Sequence, residues 1–559
     1  MKRTPFVCLL TAFTLLLFSC KNGNKSGLSI PKDAAFVFHI DASSLSSKLS
    51  WDEIKKSTWF QELREQAKNE DSLAQKILDN PEASGLDVKS DFVFFMKKRG
   101  RGGYSVFEGS LKDAKAFEAL VKKMSRQEKT EKDGDWNFIT ADSRSVVAWN
   151  DSKFAVINDM PFGDFNPMGG RNGGENTRFG SDSLKIFVKQ VMNLDNDENL
   201  FDDDRFATIM KEKGDMHMWM NAGSLYSDMA GMMSMMKIST LFEGNASAAT
   251  INFEDGKIAM KAKQYYGEEM QKAMAKWKFK NIDASVLDRI PSENVIGVLA
   301  INMDPQGIKE LIKTMGFDGM ANMFLSKKGF SLDEVLSATK GEFVLAVSDL
   351  QMKDTTISIP SDNGAKPFAF TTSRPDFNVL FATTVNQKSS FDKLLTIVKE
   401  DSVQLPFTYQ LNNEWFVAGN KPASINAFIA GNQTKHAFTE KISGNPFGLY
   451  IDIQRLLKTN FTKDVTVNSY LGEAANVWKD LVAVGKEFKD GVFTSEMVIN
   501  MVDTKTNSLK QINQFIEKMN AVRKTNKVAF EKDMDMNDDS SNSLMPPPPP
   551  PVVDEEKKQ

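Results

Sequence analysis

The sequence predicts an α+β protein whose body consists of two tandem, homologous halves of antiparallel strands with interspersed helices, residues 29–282 and 283–530. Three observations support this prediction. Segments of similar pattern recur in the same order in both halves, short apolar runs of strand length alternate with polar residues, and amphipathic helical runs separate them. A chain of 559 residues is long enough to bury most of its apolar surface.

The recurring segments begin with a proline that precedes an apolar strand, Pro31 in the first half and Pro291 in the second. The matched segments are, in order, 29–41 with 289–302, 85–96 with 331–347, 104–124 with 377–400, 217–225 with 448–456, 252–261 with 487–496 and 268–278 with 509–519. Because all six keep the same order, an internal duplication explains them better than chance. The repeat is too long for a solenoid unit.

The fifth matched segment holds an Asp-Gly pair between two strand-like runs, Asp255-Gly256 in one half and Asp490-Gly491 in the other. Asp-Gly is typical of a two-residue hairpin turn, in which both central positions take a positive φ. We therefore predict a β-hairpin near the end of each half, followed by an amphipathic helix.

Residues 1–19 are predicted to be a signal peptide. A basic start at Lys2 and an apolar run from Phe6 to Phe18 precede Cys20. The run is too short for a membrane-spanning helix, which needs about 20 apolar residues. The string LFSC resembles a bacterial lipoprotein box, which implies cleavage before Cys20, lipidation of that residue, and a polar tether over 20–28. An ordinary signal peptide beside a coincidental cysteine is the alternative.

Cysteine usage agrees with a lipid anchor at Cys20. The only other cysteine, Cys8, lies in the segment predicted to be removed, so the mature chain has no disulfide partner for Cys20. Several acyl chains, at about 0.8 kcal/mol per buried methylene, would make the attachment stable. We expect this N-terminal lipid to be the protein's membrane attachment.

The charge balance disfavours a nucleic-acid partner. Removing Lys2 and Arg3 from the 70 basic side chains leaves 68 against 74 acidic ones, a net charge of -6. Nucleic-acid binding depends on clustered positive charge. We therefore expect no nucleic-acid partner.

No metal or cofactor site is predicted. Thioethers suit Cu(I) and methionines crowd around His217, but Met218 matches Leu449 in the second half, so methionine fills an ordinary core position there. The acidic run from Asp195 to Asp204 is a weak calcium loop, because Leu200 stands where the sharp turn needs glycine. The methionines concerned are Met216, Met218, Met220, Met229, Met232, Met233, Met235 and Met236.

No catalytic residue is predicted either. Serine-lysine spacings begin at Ser29, Ser337 and Ser390, and Ser361 opens an S-D-N string, but the K-T-G partner of such enzymes is missing. The histidines are only His39, His217 and His436. We expect a non-enzymatic binding or structural module. A carboxylate-based envelope enzyme such as a glycan hydrolase is the alternative, since the chain has 74 acidic residues.

Three segments differ from the duplicated pattern. Residues 97–104 form a basic, glycine-rich connection between strands, and residues 162–180 form a long irregular loop that we predict to be disordered rather than functional. Residues 531–559 are predicted to be a disordered acidic and proline-rich tail. Its six prolines, Pro546 to Pro551, predict a polyproline II rod that serves as a spacer or as a docking segment.

The lipoprotein box, the proline-led strand at Pro31 and the Asp-Gly hairpins resemble the Bacteroidota exported lipoproteins of the domain-of-unknown-function 4836 family. The resemblance implies a lipoprotein of the cell envelope, on the periplasmic or the surface face of the outer membrane. That family has no established activity, so it implies no site residue besides Cys20. An envelope protein or a glycan is the expected partner.

We predict that Cys20→Ala releases the protein from the membrane or leaves it unprocessed, because the lipid is the expected attachment. Membrane fractionation of cells that express the variant tests this. A variant that stays fully membrane-bound after high-salt and carbonate washing would contradict the prediction.

Overall fold

Antiparallel strands form one continuous sheet in the computed structural model, which describes residues 27–541 except 71, 101, 161–177, 227–241, 360–367, 401–406 and 460–464. The strands in these residues are β1 Phe36–Ile40, β2 Phe92–Arg99, β3 Gly102–Ser110, β4 Glu131–Asp133, β5 Trp136–Asp142, β6 Ser145–Trp149, β7 Lys153–Asp159, β8 Met216–Asn221, β9 Ala246–Glu254, β10 Lys257–Tyr265, β11 Val295–Asn302, β12 Thr339–Ile359, β13 Phe368–Val385, β14 Thr408–Leu411, β15 Trp415–Gly419, β16 Phe447–Ile451, β17 Trp478–Lys489 and β18 Val492–Met501.

Helices separate the strands and lie on both faces of the sheet. They are α1 Ala42–Lys48, α2 Trp51–Lys55, α3 Thr58–Glu70, α4 Ser72–Asp79, α5 Ala114–Ser125, α6 Ser181–Met192, α7 Asp204–Lys211, α8 Ala222–Leu225, α9 Glu268–Ala275, α10 Ala284–Leu287, α11 Pro305–Thr314, α12 Asp318–Ser326, α13 Leu332–Ser337, α14 Lys388–Glu400, α15 Pro422–Ala430, α16 Thr439–Ile442, α17 Ile453–Lys458, α18 Val465–Ala475 and α19 Ser508–Ser541. None of the helices in the described ranges is long and apolar enough to cross a membrane.

Local sequence explains where these helices begin. Asp41 accepts a hydrogen bond from the Ser44 amide at the start of α1, and Ser50 forms a capping box with Glu53 at the start of α2. A second capping box, Ser331 with Glu334, opens α13 in the other half. Such caps satisfy the free amides of a first turn.

The strands follow the order β4-β5-β6-β7-β3-β2-β1-β8-β9-β10-β18-β17-β16-β11-β12-β13-β15-β14, and every pairing is antiparallel. Counted outwards from the β10–β18 pair, the matching strands of the two halves follow the same order. The first half has two further strands, β5 and β4, at its edge. The predicted α+β class with antiparallel strands is confirmed. Common descent of the two halves stays a prediction that the shared strand order supports.

The two halves meet where β10 pairs with β18. The register runs from Lys257 opposite Asn500 to Tyr265 opposite Val492, with Lys261 opposite Glu496 at its centre. Because β10 and β18 are the last strands of their halves, each half uses the same edge, and the junction has an approximate two-fold axis.

The predicted hairpins are present at both Asp-Gly pairs, but the two turns differ. Asp490 and Gly491 both have positive φ, 50° and 78°. At the first turn Gly256 has a φ of 67°, whereas Asp255 is not among the residues with positive φ, so the prediction is wrong there. The reason is a contact outside the hairpin, because Asp255 forms a β-bridge with Asn507.

The closing helix of each half packs on the other half. At the C-terminal cap of α9 in the first half, Lys276 pairs with Glu310 of α11 at 2.7 Å. In α19 of the second half, the Glu517 carboxylate accepts a hydrogen bond from the Thr58 amide at 2.8 Å, and Leu509 is buried in the first-half core. The halves therefore share cores as well as a sheet.

The C-terminal helix ends later than predicted. Helix α19 runs to Ser541, past the predicted end of the body near Phe530. Residues 531–541 are therefore helical where an irregular tail was predicted, because extending a helix that has already formed adds one hydrogen bond per residue ordered. Pro546 to Pro551 and the rest of 542–559 lie outside the described residues, as do 161–177 of the long loop.

We predict that Gly256→Ala destabilises the protein more than Gly491→Ala. Alanine in the left-handed region costs about 1–2 kcal/mol at either site. At Gly256 the added Cβ would also lie 2.4 Å from the backbone Cα of Thr504, whereas at Gly491 it would meet the side chain of Gln271, which can move. Urea unfolding of both variants measures the difference, and equal losses would contradict the prediction.

Candidate functional site

One side of the second-half sheet carries a row of apolar side chains that stand directly opposite one another. Leu449 faces Leu299, Leu299 faces Leu345, and Leu345 faces Phe381. The neighbouring row on the same side is Phe447, Ile301 and Phe343. We call these seven residues the apolar face.

The apolar face is only partly covered. Leu345 is 39% exposed although it lies on an inner strand, and the other six residues are half-buried. On the opposite side of the same strands, Val298, Ala300 and Val344 are fully or almost fully buried. They belong to a core that includes Ile425 and Phe428 of α15. The two sides of one sheet thus differ sharply in burial.

The first half covers the matching positions. Phe38 and Phe94 stand opposite each other on β1 and β2, where the second half has Leu299 and Leu345. Phe94 is half-buried, and its neighbours on either side, Phe38 and Phe107, pack against a core to which helices α1 to α3 contribute Leu45, Trp51 and Phe60. The same side of the sheet is therefore a packed interface in one half and a partly exposed surface in the other.

The helices on this side of the second half bury few side chains. Gly307 is the buried residue of α11, Leu332 is that of α13, and α12 has none. Helix α12 instead exposes Met320, Met323 and Phe324, at 47%, 59% and 68%. Apolar groups left in contact with water gain about 25 cal/mol per Å² when a partner covers them. The arrangement can therefore bind an apolar group.

Two buried carboxylates, those of Asp215 and Asp480, are engaged in the fold. Asp215 accepts hydrogen bonds from Ser44 Oγ at 2.6 Å and Lys48 Nζ at 2.5 Å. Asp480 accepts from Lys441 Nζ at 3.0 Å and from the Asn500 amide at 2.6 Å. The two lysines balance the charge of these carboxylates where they are buried, so both pairs help to hold the fold together.

The sequence of this chain matches a known protein family. The sequence profile of the Domain of unknown function (DUF4836) matches residues 28–399, which include all of the first half and the β11 to β13 region. The chain belongs to the DUF4836 family. No curated protein matches it.

Solved structures of TP0453 show a distant similarity to the DUF4836 chain. Crystal forms I, IV and III have TM-scores of 0.24, 0.23 and 0.22 and sequence identities of 12%, 12% and 11%. They cover 44%, 44% and 48% of this chain and 81%, 85% and 88% of TP0453. At these values the similarity supports no conclusion about ligand or activity.

Most residues that the sequence singled out are not brought together. Cys20 lies outside the described residues, as do Met229 to Met236 and Ser361. Met218 is half-buried on β8, and Ser337 Oγ donates to the Glu334 carbonyl within α13 at 3.1 Å.

The acidic run contributes helix starts rather than a binding site. Asp203 caps α7, and although burial opposes it, hydrogen bonds from Arg205 lower the pKa of the Asp203 carboxyl. Within the described ranges, no three His, Cys, Asp or Glu side chains are grouped so that they could hold a metal ion.

Sequence reasoning missed a pair of buried histidines. His39 and His217 stand opposite each other on β1 and β8, and their Nδ1 atoms are 3.1 Å apart. The periodicity of a sequence does not reveal which strands pair, so it does not bring the two histidines together. His436 lies elsewhere, where its Nε2 is 3.0 Å from the Ile290 carbonyl oxygen.

Glu108 gives the protein a predictable pH dependence. It is buried on β3, where its carboxylate accepts a hydrogen bond from the Ser29 amide at 2.7 Å, and burial raises its pKa from 4.5 to about 8. The folded chain therefore holds a proton that the unfolded chain releases at about pH 4.5. The stability from this proton is complete below about pH 4.5 and is lost as the pH rises through about 8.

We predict that Glu108→Gln removes this component, because the amide cannot ionise. Chemical denaturation at about pH 5 and about pH 9 measures it. The free energy of unfolding should fall further between the two values in the natural protein than in the variant. An identical fall in both would contradict the raised pKa.

Proposed function

We propose that this DUF4836 protein is a non-enzymatic binding protein of the Bacteroidota cell envelope, anchored in the outer membrane by lipid on Cys20, and that it holds an apolar partner on the apolar face. One observation carries the proposal: Leu345 is 39% exposed on an inner strand, while the matching Phe94 is half-buried between Phe38 and Phe107, which pack against the first-half core.

The chemistry of the apolar face favours an acyl chain over a glycan. A sugar is held by hydrogen bonds to its hydroxyl groups, and the seven residues of the face offer none from their side chains. Aliphatic and aromatic side chains bind hydrocarbon through the hydrophobic effect, which requires shape and area but no polar partner. Of the envelope components, lipids and lipid-modified proteins supply such chains.

The start of the described chain is consistent with a tether that leads to a membrane anchor. Ile30 is fully buried in the first-half core, and the Ser29 amide is held by Glu108. If Cys20 carries the lipid, residues 20–28 are the link between membrane and body. The anchor would then enter at the first half, which leaves the apolar face of the second half to a separate ligand.

We predict that a fluorescent fatty acid binds saturably to the full mature chain and that Leu345→Glu weakens its binding at least tenfold. A buried or half-buried charge beside a hydrocarbon chain is strongly unfavourable. The matched control is Ile186→Glu, since Ile186 is 56% exposed on α6, away from the apolar face. Its affinity should equal that of the natural protein.

Circular dichroism and the unfolding midpoint establish that both variants are folded. Absence of saturable binding, or an equal loss in both variants, would contradict the proposed function. Binding of an envelope glycan by the same protein, unaffected by Leu345→Glu, would place the function on another surface.

A further inference from the structure

The two buried histidines of the first half form a continuous chain of polar contacts. His39 is 0% and His217 is 1% exposed, and their Nδ1 atoms approach to 3.1 Å. At the outer ends, His39 Nε2 lies 3.2 Å from Asp91 Oδ2, and His217 Nε2 lies 3.0 Å from the carbonyl oxygen of Glu212. The contact with Asp91 has the distance of an ion pair but not the angles of a hydrogen bond.

Two neutral imidazoles carry one hydrogen too few for this series of contacts. His217 Nε2 faces a carbonyl oxygen at hydrogen-bond distance and His39 Nε2 faces a carboxylate at ion-pair distance, so a hydrogen on each outer imidazole nitrogen is favoured when Asp91 is ionised. The Nδ1 atoms need one more hydrogen between them, which makes three. Two neutral imidazoles carry only two. With Asp91 ionised and only two hydrogens on the rings, at least one of the three contacts would place two acceptors against each other in the protein interior, which is costly.

We propose that His39 and His217 are a single buried proton-binding site, in which the pair holds one proton more than two neutral rings and Asp91 balances the charge. Asp91 is itself 5% exposed, and a buried carboxylate requires a positive neighbour. The imidazolium–imidazole pair supplies that neighbour without a lysine or arginine.

The other charged groups around the pair are already engaged. The Glu212 carboxylate is held by Lys263 and by Thr250 Oγ1, and Asp215 is held by Lys48. Glu108, two strands away in the same row, has its pKa raised by burial to about 8. From helix α7 the pair faces a core that contains the apolar Ile209 and Met210.

The backbone leaves room for this arrangement. A Cβ at Gly214 would lie 3.0 Å from His217 Nε2 and 2.4 Å from the Thr250 methyl group. The sheet itself does not require imidazoles, because the second half has Ala300 opposite Gly448 at the matching positions. The histidine pair is therefore a feature of the first half that the second half does not share.

The proposal sets an upper and a lower pH limit for the site. Removing the shared proton breaks one of the three contacts. Adding a second proton places two N–H groups against each other between the Nδ1 atoms. The strand pair β1–β8 is thus most stable when the site holds one extra proton.

The decisive measurement uses the full mature chain labelled with ¹⁵N-histidine. The chain has three histidines, and His436→Gln identifies the third one, whose pKa is lowered by burial. Near neutral pH we expect the ring nitrogens of His39 and His217 to carry three hydrogens in total. A total of two, or of four, overturns the proposal.

A second measurement detects the extra proton through the pH dependence of folding stability. The variant His39→Ala/His217→Gly/Asp91→Asn introduces the second-half residues at the pair and leaves no orphan carboxylate. Above about pH 6.5, where imidazoles in an unfolded chain are losing their protons, the folding equilibrium constant of the natural protein should fall up to tenfold more per pH unit than that of the variant. Because both proteins keep Glu108, its effect cancels.

Equal slopes would overturn the proposal. If the variant does not fold, the hydrogen count in the labelled natural protein decides alone.

Discussion

The pairing of β10 with β18 is the contact on which the rest of the architecture depends. Nine residue pairs join the two strands in register. Without them each half would end in an unpaired edge strand, a site at which sheets aggregate or slip. Together with the crossed helices α9 and α19, the pairing makes one sheet from two similar halves. The link from α19 includes Lys510, which lowers the pKa of Glu53 to about 2.

The central row of the sheet shows how the two halves differ in chemistry on one shared framework of strands. In the first half this row includes Thr250, His217, His39 and Glu108. In the second half the corresponding row is Val484, Gly448, Ala300 and Ala382. Buried polar groups occupy one half on this side of the sheet. On the other side, it is the second half that leaves apolar groups exposed. The proposed proton site and the proposed ligand surface follow from these two departures.

Much of the local structure could be predicted from the sequence, because periodicity, prolines and turn residues act over short distances. The hairpins at Gly256 and Gly491 and the helix after β3 are examples. The junction of the halves could not be predicted, since alternation tells which face a residue takes but not which strand lies beside it. For the same reason the approach of His39 to His217 was missed. The φ of Asp255 depends on a contact with Asn507, far away in sequence.

The exposure of Leu345 was equally beyond sequence reasoning. Its strand reads like that of Phe94 in the first half, and the difference lies in whether helices α11 to α13 close over the sheet as α1 to α3 do. A site formed by incomplete packing leaves no motif in the sequence. The exposed fractions of the side chains reveal the apolar face, whereas the sequence points to no site residue besides Cys20.

Hydrogen exchange of the full mature chain, followed by mass spectrometry, tests the continuous sheet most directly. The account predicts that peptides covering 257–265 and 492–501 exchange as slowly as those covering the inner strands 36–40 and 295–302, because both neighbours of β10 and β18 are hydrogen-bonded strands. Exchange of 257–265 and 492–501 at the rate of edge strands, with the inner strands still protected, would show that the halves are separate sheets and would contradict the account.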